Sequence, residues 1–102
     1  MSESQTNTKN ITKPKEKLKR PPLYVVVVHD DPITPRAFVV QVLQKFFYKA
    51  EAEATRIMLL AHHFGVGAVA TYTFEIAETK TSAVNQYAQA QGYPLSFSIQ
   101  EE

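Results

Sequence analysis

The chain is 102 residues long, 44% hydrophobic and 21% charged, which is enough for one core and too little for two. It holds no cysteine, excluding a disulfide framework, a thiolate zinc site and a cysteine nucleophile. The net charge of +1 divides unevenly: residues 1–22 carry six Lys and Arg against two acids, residues 23–102 five against eight. The basic character therefore belongs to the N-terminal segment, and the remainder offers no basic face for nucleic acid.

Residues 1–22 are rich in Ser, Thr, Asn, Gln and Lys, lack apolar periodicity and close on Pro21-Pro22, so they read as a disordered basic tail. The tail has no hydrophobic segment of the secretory type. The longest apolar run in the chain, Leu23 to Val28, is far below the ~18–20 residues that cross a bilayer. The expected location is the cytoplasm, with a plastid stroma left open.

The folded part, residues 23–102, opens on Leu23-Tyr24-Val25-Val26-Val27-Val28, β-branched and apolar on both faces, the pattern of a central strand. His29 to Ile33 form a loop. Thr34-Pro35 then predicts a helix start with Thr34 as N-cap and Pro35 at the first helical position. Phe38, Val39, Val42, Leu43, Phe46 and Phe47 make a wide apolar stripe on that helix, which breaks at Tyr48-Lys49. A second helix runs from Ala50 to His63 with Ala54, Ile57, Met58 and Ala61 inward, and Gly65 stops it. Val69 to Phe74 predicts a second strand, with Gly65-Val66-Gly67 as the turn before it and Thr73 as the next N-cap. Residues 74–91 form a third helix, ended by Gly92 and Pro94, and Leu95 to Ile99 alternate as the last strand. The order is β-α-α-β-α-β: an α+β two-layer sandwich with the helices on one face of a three-stranded antiparallel sheet.

Two clusters carry chemistry. His29-Asp30-Asp31 lies at the mouth of the first strand; adjacent acids in a loop serve either as turn and capping residues or as a site for a cation, metal or ammonium. His62-His63 ends the second helix, where a histidine usually meets the helix C-terminus. Neighbours on a helix point about 100° apart, so the pair does not chelate one metal, although one of them can face the Asp30 loop. Nucleophile elbow, phosphate loop, dinucleotide fingerprint and HExxH are all missing, so neither an enzyme nor a bound cofactor or metal is expected.

The stretch VVVVHDDPITPRAFVVQVLQKFF, then Ala54-Thr55-Arg56-Ile57-Met58-Leu59 with His62 and Gly65, FEIAETK (Phe74–Lys80) and YPLSFSI (Tyr93–Ile99) together resemble the ClpS family of protease adaptors. The resemblance covers about residues 23–100, in four ordered blocks. It implies a non-enzymatic, monomeric specificity factor. Such an adaptor binds proteins whose first residue is Leu, Phe, Tyr or Trp (N-degrons). It delivers them to the N-terminal domain of a ClpA- or ClpC-type AAA+ unfoldase, which feeds the ClpP protease.

Carried over residue by residue, the resemblance implies that Asp30 and His62 hold the α-amino group. His29 would contact the amine as well, standing where many relatives have Asn. Thr34, Val39, Met58, Ala61 and Leu95 would wall the pocket for the first side chain. Arg36, where many relatives have Met, and Ala61, where many have Val, would set its bias. Pro32 and Ile33 make the loop one residue longer than the commonest family form. Glu75 and Lys80 would face the unfoldase, and the tail would be engaged by it during delivery. A free N-terminus is an ammonium with three donors and needs a carboxylate opposite it. Neutral imidazole accepts and imidazolium does not, so peptide binding is expected to weaken below about pH 6–6.5. The alternative reading is a regulatory ligand of the unfoldase that modulates substrate choice without binding N-degrons.

Overall fold

The structure, a computed structural model, describes residues 21–102; the tail assigned to residues 1–22 lies outside the described residues except for Pro21 and Pro22. The elements follow the expected order: β1 (Leu23–His29), α1 (Arg36–Phe47), α2 (Glu51–Phe64), β2 (Val66–Thr73), α3 (Phe74–Ala90) and β3 (Ser96–Glu101). The three strands form one sheet in the order β2-β1-β3, both pairings antiparallel, so the valine-rich strand is central. Val26 and Val28 of β1, Val69 of β2 and Phe97 of β3 share one buried cluster with Val42 and Leu43 of α1, Ile57 of α2 and Val84 of α3. Alternate strand residues meeting all three helices put the helices on a single face of the sheet.

The starts of α1, β2 and β3 differ from expectation, each for a local reason. Thr34 does not cap α1. Its hydroxyl and backbone N–H both bond Asp31, the N-cap position falls to Pro35, and Arg36 becomes the first helical residue. Strand β2 starts at Val66 rather than Val69, because His29 pairs with Val66 and Val28 with Gly67. A register shift opposite Val26 and Val27 leaves Val69 as a bulge in β2, and this buried residue still reaches the core. Thr73 stands at the N-cap of α3, as expected, but its side chain makes no capping bond. Strand β3 begins one residue after Leu95, which drops into the core, and runs on to Glu101.

The turns that close the helices come from backbone geometry. Tyr48 ends α1 in the left-handed region (φ 56°) and lets the Lys49 N–H reach back to the Leu43 carbonyl. Gly65 does the same for α2 (φ 89°), its N–H on the Ala61 carbonyl. The Gly65 carbonyl then accepts the Asp30 N–H at 2.9 Å, fastening the start of the 30–35 loop to the end of α2. At the sheet edge Asn85 of α3 satisfies both backbone groups of Phe97, donating to its carbonyl and accepting its N–H. That bond docks α3 on β3 and closes part of an open edge.

Candidate functional site

The fastening of Asp30 to Gly65 brings the loop after β1 against the C-terminal end of α2, and a cavity of about 320 Å³ opens between them. That lies at the small end of the range for ligand pockets, suited to one large side chain. All nine residues assigned to the site by sequence line it: His29, Asp30, Thr34, Arg36, Val39, Met58, Ala61, His62 and Leu95. Val28, Asp31, Pro32, Ile33 and Pro35 complete the wall, and periodicity gave no signal for them.

The cavity has an apolar floor and a polar mouth. Val39 of α1 and Met58 and Ala61 of α2 line it together with Leu95, and all four are buried. The apolarity of the three helical residues follows from position, since each belongs to the inner stripe of its helix, while Leu95 drops into the core just before β3. At the mouth the two adjacent acids divide their work. Asp31 is the turn residue: its carboxylate accepts from the backbone N–H of Ile33 and Thr34 and from the Thr34 hydroxyl. The Thr34 hydroxyl, helped by those two N–H groups, holds the Asp31 carboxyl below the usual carboxylate range. Asp30 has no such partners among the described residues. Its carboxylate is about a third exposed, and the His62 ring lies beside it, Nδ1 to Oδ1 3.8 Å. A carboxylate held at a mouth without a donor to satisfy it is an acceptor for a cation.

His62 sits between two charges, because its Nε2 lies 2.7 Å from the Arg36 guanidinium. Arginine only donates, so Nε2 accepts and the ring proton sits on Nδ1, on the Asp30 side. His29 closes the other flank half-buried, its Nε2 2.7 Å from the Ser98 hydroxyl. One of its nitrogens is therefore engaged across the sheet. Among the described residues no three His, Cys, Asp or Glu come together to hold a metal ion, and no helix is long and apolar enough to cross a membrane.

Comparison with known proteins follows the same outline. The sequence model described as "ATP-dependent Clp protease adaptor protein ClpS" matches residues 19–98. The ClpS adapter of Myxococcus xanthus is 45% identical over 100 residues, covering 98% of this chain and 94% of the relative. The chain belongs to the ClpS family. The ClpS adapter of Desulfatibacillum aliphaticivorans is 48% identical over 92 residues, covering 90% and 88%. Among solved structures, Agrobacterium tumefaciens ClpS2 bound to L-phenylalaninamide superposes with a TM-score of 0.79 at 38% identity, over 81% of this chain and all of that one. ClpS proteins are adaptors of the Clp protease, and the β-α-α-β-α-β sandwich read from the sequence is the fold of that neighbour.

The remaining two assigned residues lie outside the cavity, on α3. Glu75 is exposed in the first turn, flanked by the exposed Phe74 and Ile76, and lines a shallow groove with Pro21, Pro22, Tyr24 and Thr73. Lys80 turns inward. Its ammonium donates to the Phe46 carbonyl at 3.0 Å and lies 4.8 Å from the Tyr48 ring centre and 5.6 Å from that of Tyr72. It thus serves an open carbonyl at the end of α1 and draws α3, α1 and β2 together. Lys80→Ala removes a charge-assisted hydrogen bond and cation–π contacts, with an expected loss of about 1–2 kcal/mol. For a domain this small the melting temperature falls by roughly 5–10 °C. An unchanged melting curve would show that the ammonium has no structural role.

Proposed function

We propose that this ClpS chain holds proteins by a free N-terminus bearing a large hydrophobic first residue (Leu, Phe, Tyr or Trp) and delivers them to a ClpA- or ClpC-type unfoldase. The observation that carries this reading is the pairing of one unsatisfied carboxylate, Asp30, with a buried apolar pocket sized for one side chain. The two halves of such a ligand match the two halves of the site. The first side chain enters among Val39, Met58, Ala61 and Leu95, a burial that stabilises by ~1.5–3 kcal/mol for Leu or Phe. The ammonium pairs with Asp30, with His62 and His29 as further polar contacts, for another ~1.5–3 kcal/mol. The Agrobacterium relative supports this, since its ligand, L-phenylalaninamide, combines a free amine with an apolar side chain.

An internal Leu presents no ammonium and leaves Asp30 unpaired in the mouth, which is how the pocket tells a terminus from mid-chain. Delivery rests on the exposed face around Glu75, where a charged residue stands among apolar ones. A basic N-terminal segment long enough to span up to ~60–70 Å when extended supplies reach. The chain acts as a monomer of two parts, the tail of residues 1–22 and the adaptor domain of residues 23–102, without a catalytic residue of its own.

The test is fluorescence-anisotropy binding of peptides differing only in the first residue (Leu, Phe, Tyr, Trp, Ile, Met, Arg), with N-acetyl-Leu as control. Binding of large hydrophobics that acetylation weakens at least tenfold is the expected result. No binding by any peptide would overturn it in favour of a regulatory ligand of the unfoldase. Lowering the pH from about 7.5 to about 5.5 leaves the Asp31 turn intact, because a depressed carboxyl keeps its charge, and the loop its turn, until the pH drops below the usual carboxylate range.

A further inference from the structure

We propose that Arg36 makes this site read the second residue of its ligand as well as the first, favouring an acidic side chain there. The inference rests on the first-residue reading above and adds a substrate class to it. Arg36 opens α1 at the rim of the cavity with its side chain exposed, and reaches across to His62. Among the described residues its guanidinium has one hydrogen-bond partner, the His62 ring nitrogen. Asp30, His62 and Arg36 therefore stand in a row along one side of the mouth: carboxylate, imidazole, guanidinium.

The Arg36–His62 end of that row is satisfied as it stands, and conflicted once an N-terminus enters. The incoming ammonium brings three donors and needs acceptors. Asp30 supplies one, and the only acceptor nitrogen of His62 is already held by Arg36. Two cations then compete for one lone pair while repelling each other across a few ångströms. Neither can lose its proton to resolve the conflict, since arginine stays charged and an amine paired with Asp30 does too.

A carboxylate on the ligand resolves it. Presented beside the guanidinium, it offers a bidentate, charge-assisted partner that a neutral imidazole cannot match. Arg36 then swings from His62 to the carboxylate, and Nε2 turns to the ammonium. The distances suit the second residue. Consecutive Cα atoms lie 3.8 Å apart, and the guanidinium sits one hydrogen bond, 2.7 Å, beyond the imidazole nitrogen. Glu or Asp in that place completes the row, giving each of the two cations a carboxylate of its own: Asp30 for the ammonium and the ligand's side chain for the guanidinium. Gln leaves the competition unresolved, and Lys adds a third cation.

The experiment measures binding of three peptides, Phe-Glu-, Phe-Gln- and Phe-Lys- with a common remainder, to the full chain and to its Arg36→Gln and Arg36→Glu variants. The unmodified chain is expected to bind the Glu peptide about fivefold more tightly than the Gln peptide, the upper range for a solvent-exposed ion pair. Lys is expected to come last, and the spread to shrink at high salt. In Arg36→Gln the ratio of Glu to Gln falls to about one, and in Arg36→Glu the order inverts in favour of Lys. Equal affinities for the Glu and Gln peptides, with acetylation still weakening both, would overturn the inference and leave first-residue recognition standing. A Glu preference that survives in Arg36→Gln would overturn Arg36 as its source. Failure of every free-amine peptide to bind the unmodified chain would overturn both readings together.

Discussion

Asp30→Asn is expected to weaken binding of a Phe-first peptide by about ten- to a hundredfold, the effect of removing one ion-paired hydrogen bond of ~1.5–3 kcal/mol. The substitution keeps the shape of the side chain and one acceptor oxygen, so the loss reads the charge. It should cost the fold little. The Asp30 carboxylate holds no structural hydrogen bond among the described residues, and the bond that fastens the loop to α2 is made by its backbone N–H, which Asn retains. Its neighbour gives the contrast. Asp31→Asn replaces a carboxylate that accepts three bonds within the loop on its two oxygens, and the amide keeps one accepting oxygen and turns the other into a donor. That variant should loosen the 30–35 turn and lower stability, with a smaller and indirect effect on the peptide. Anisotropy and thermal melting on both variants check the pair of outcomes. Binding by Asp30→Asn within twofold of the parent would take the ammonium away from Asp30.

The contrast between those acids marks where sequence reasoning ran out. Strands and helices were legible because Val26, Val42, Ile57 and Val84 repeat with the period of their element, and period fixes which face is buried. Period also turned Val39, Met58 and Ala61 inward, but only the resemblance in the family blocks implied that they line a pocket. What period does not encode is pairing between distant side chains. Asp30 and Asp31 are chemically alike in the sequence, and the Thr34 hydroxyl, three residues on, assigns one to the turn and leaves the other open. Arg36 stands 26 residues from His62, and only the packing of α1 against α2, with the Asp30 N–H on the Gly65 carbonyl beside it, brings them together. Lys80, assigned by resemblance to the unfoldase-facing surface, also places its ammonium on a carbonyl at the end of another helix, a contact no period encodes. Asn85 looked like any polar residue of an amphipathic helix until β3 arrived beside it.

Gly67→Ala is expected to lower both stability and peptide affinity, although alanine is usually the better residue in ordered structure. A methyl group at this position would stand 3.1 Å from the Ile57 carbonyl oxygen, 3.3 Å from the Ala61 nitrogen and 3.4 Å from the Ala61 methyl. The first two are the acceptor and donor positions of one turn of α2, so the intruding carbon meets helix backbone and no side chain can rotate away. Opposing terms decide the sign. Restricting the unfolded chain favours Ala by ~0.4–1 kcal/mol, while forcing an extra carbon into a packed interface costs about 1–3 kcal/mol. The clash should win, with a melting temperature lower by roughly 5–15 °C. The effect reaches the site because α2 carries Met58 and Ala61 of the pocket floor and His62 of its mouth, on the turns that Gly67 touches. Moving that helix outward by a few tenths of an ångström lengthens the approach of His62 to Asp30, already 3.8 Å, and widens the floor. Gly65→Ala separates packing from backbone strain. Nothing lies within 4 Å of a methyl there, and its penalty comes from the left-handed φ of 89° alone, about 1 kcal/mol. Thermal melting with peptide titration on both variants tells them apart. A Gly67→Ala protein that melts and binds like the parent would mean the sheet and α2 are not packed to contact at this point.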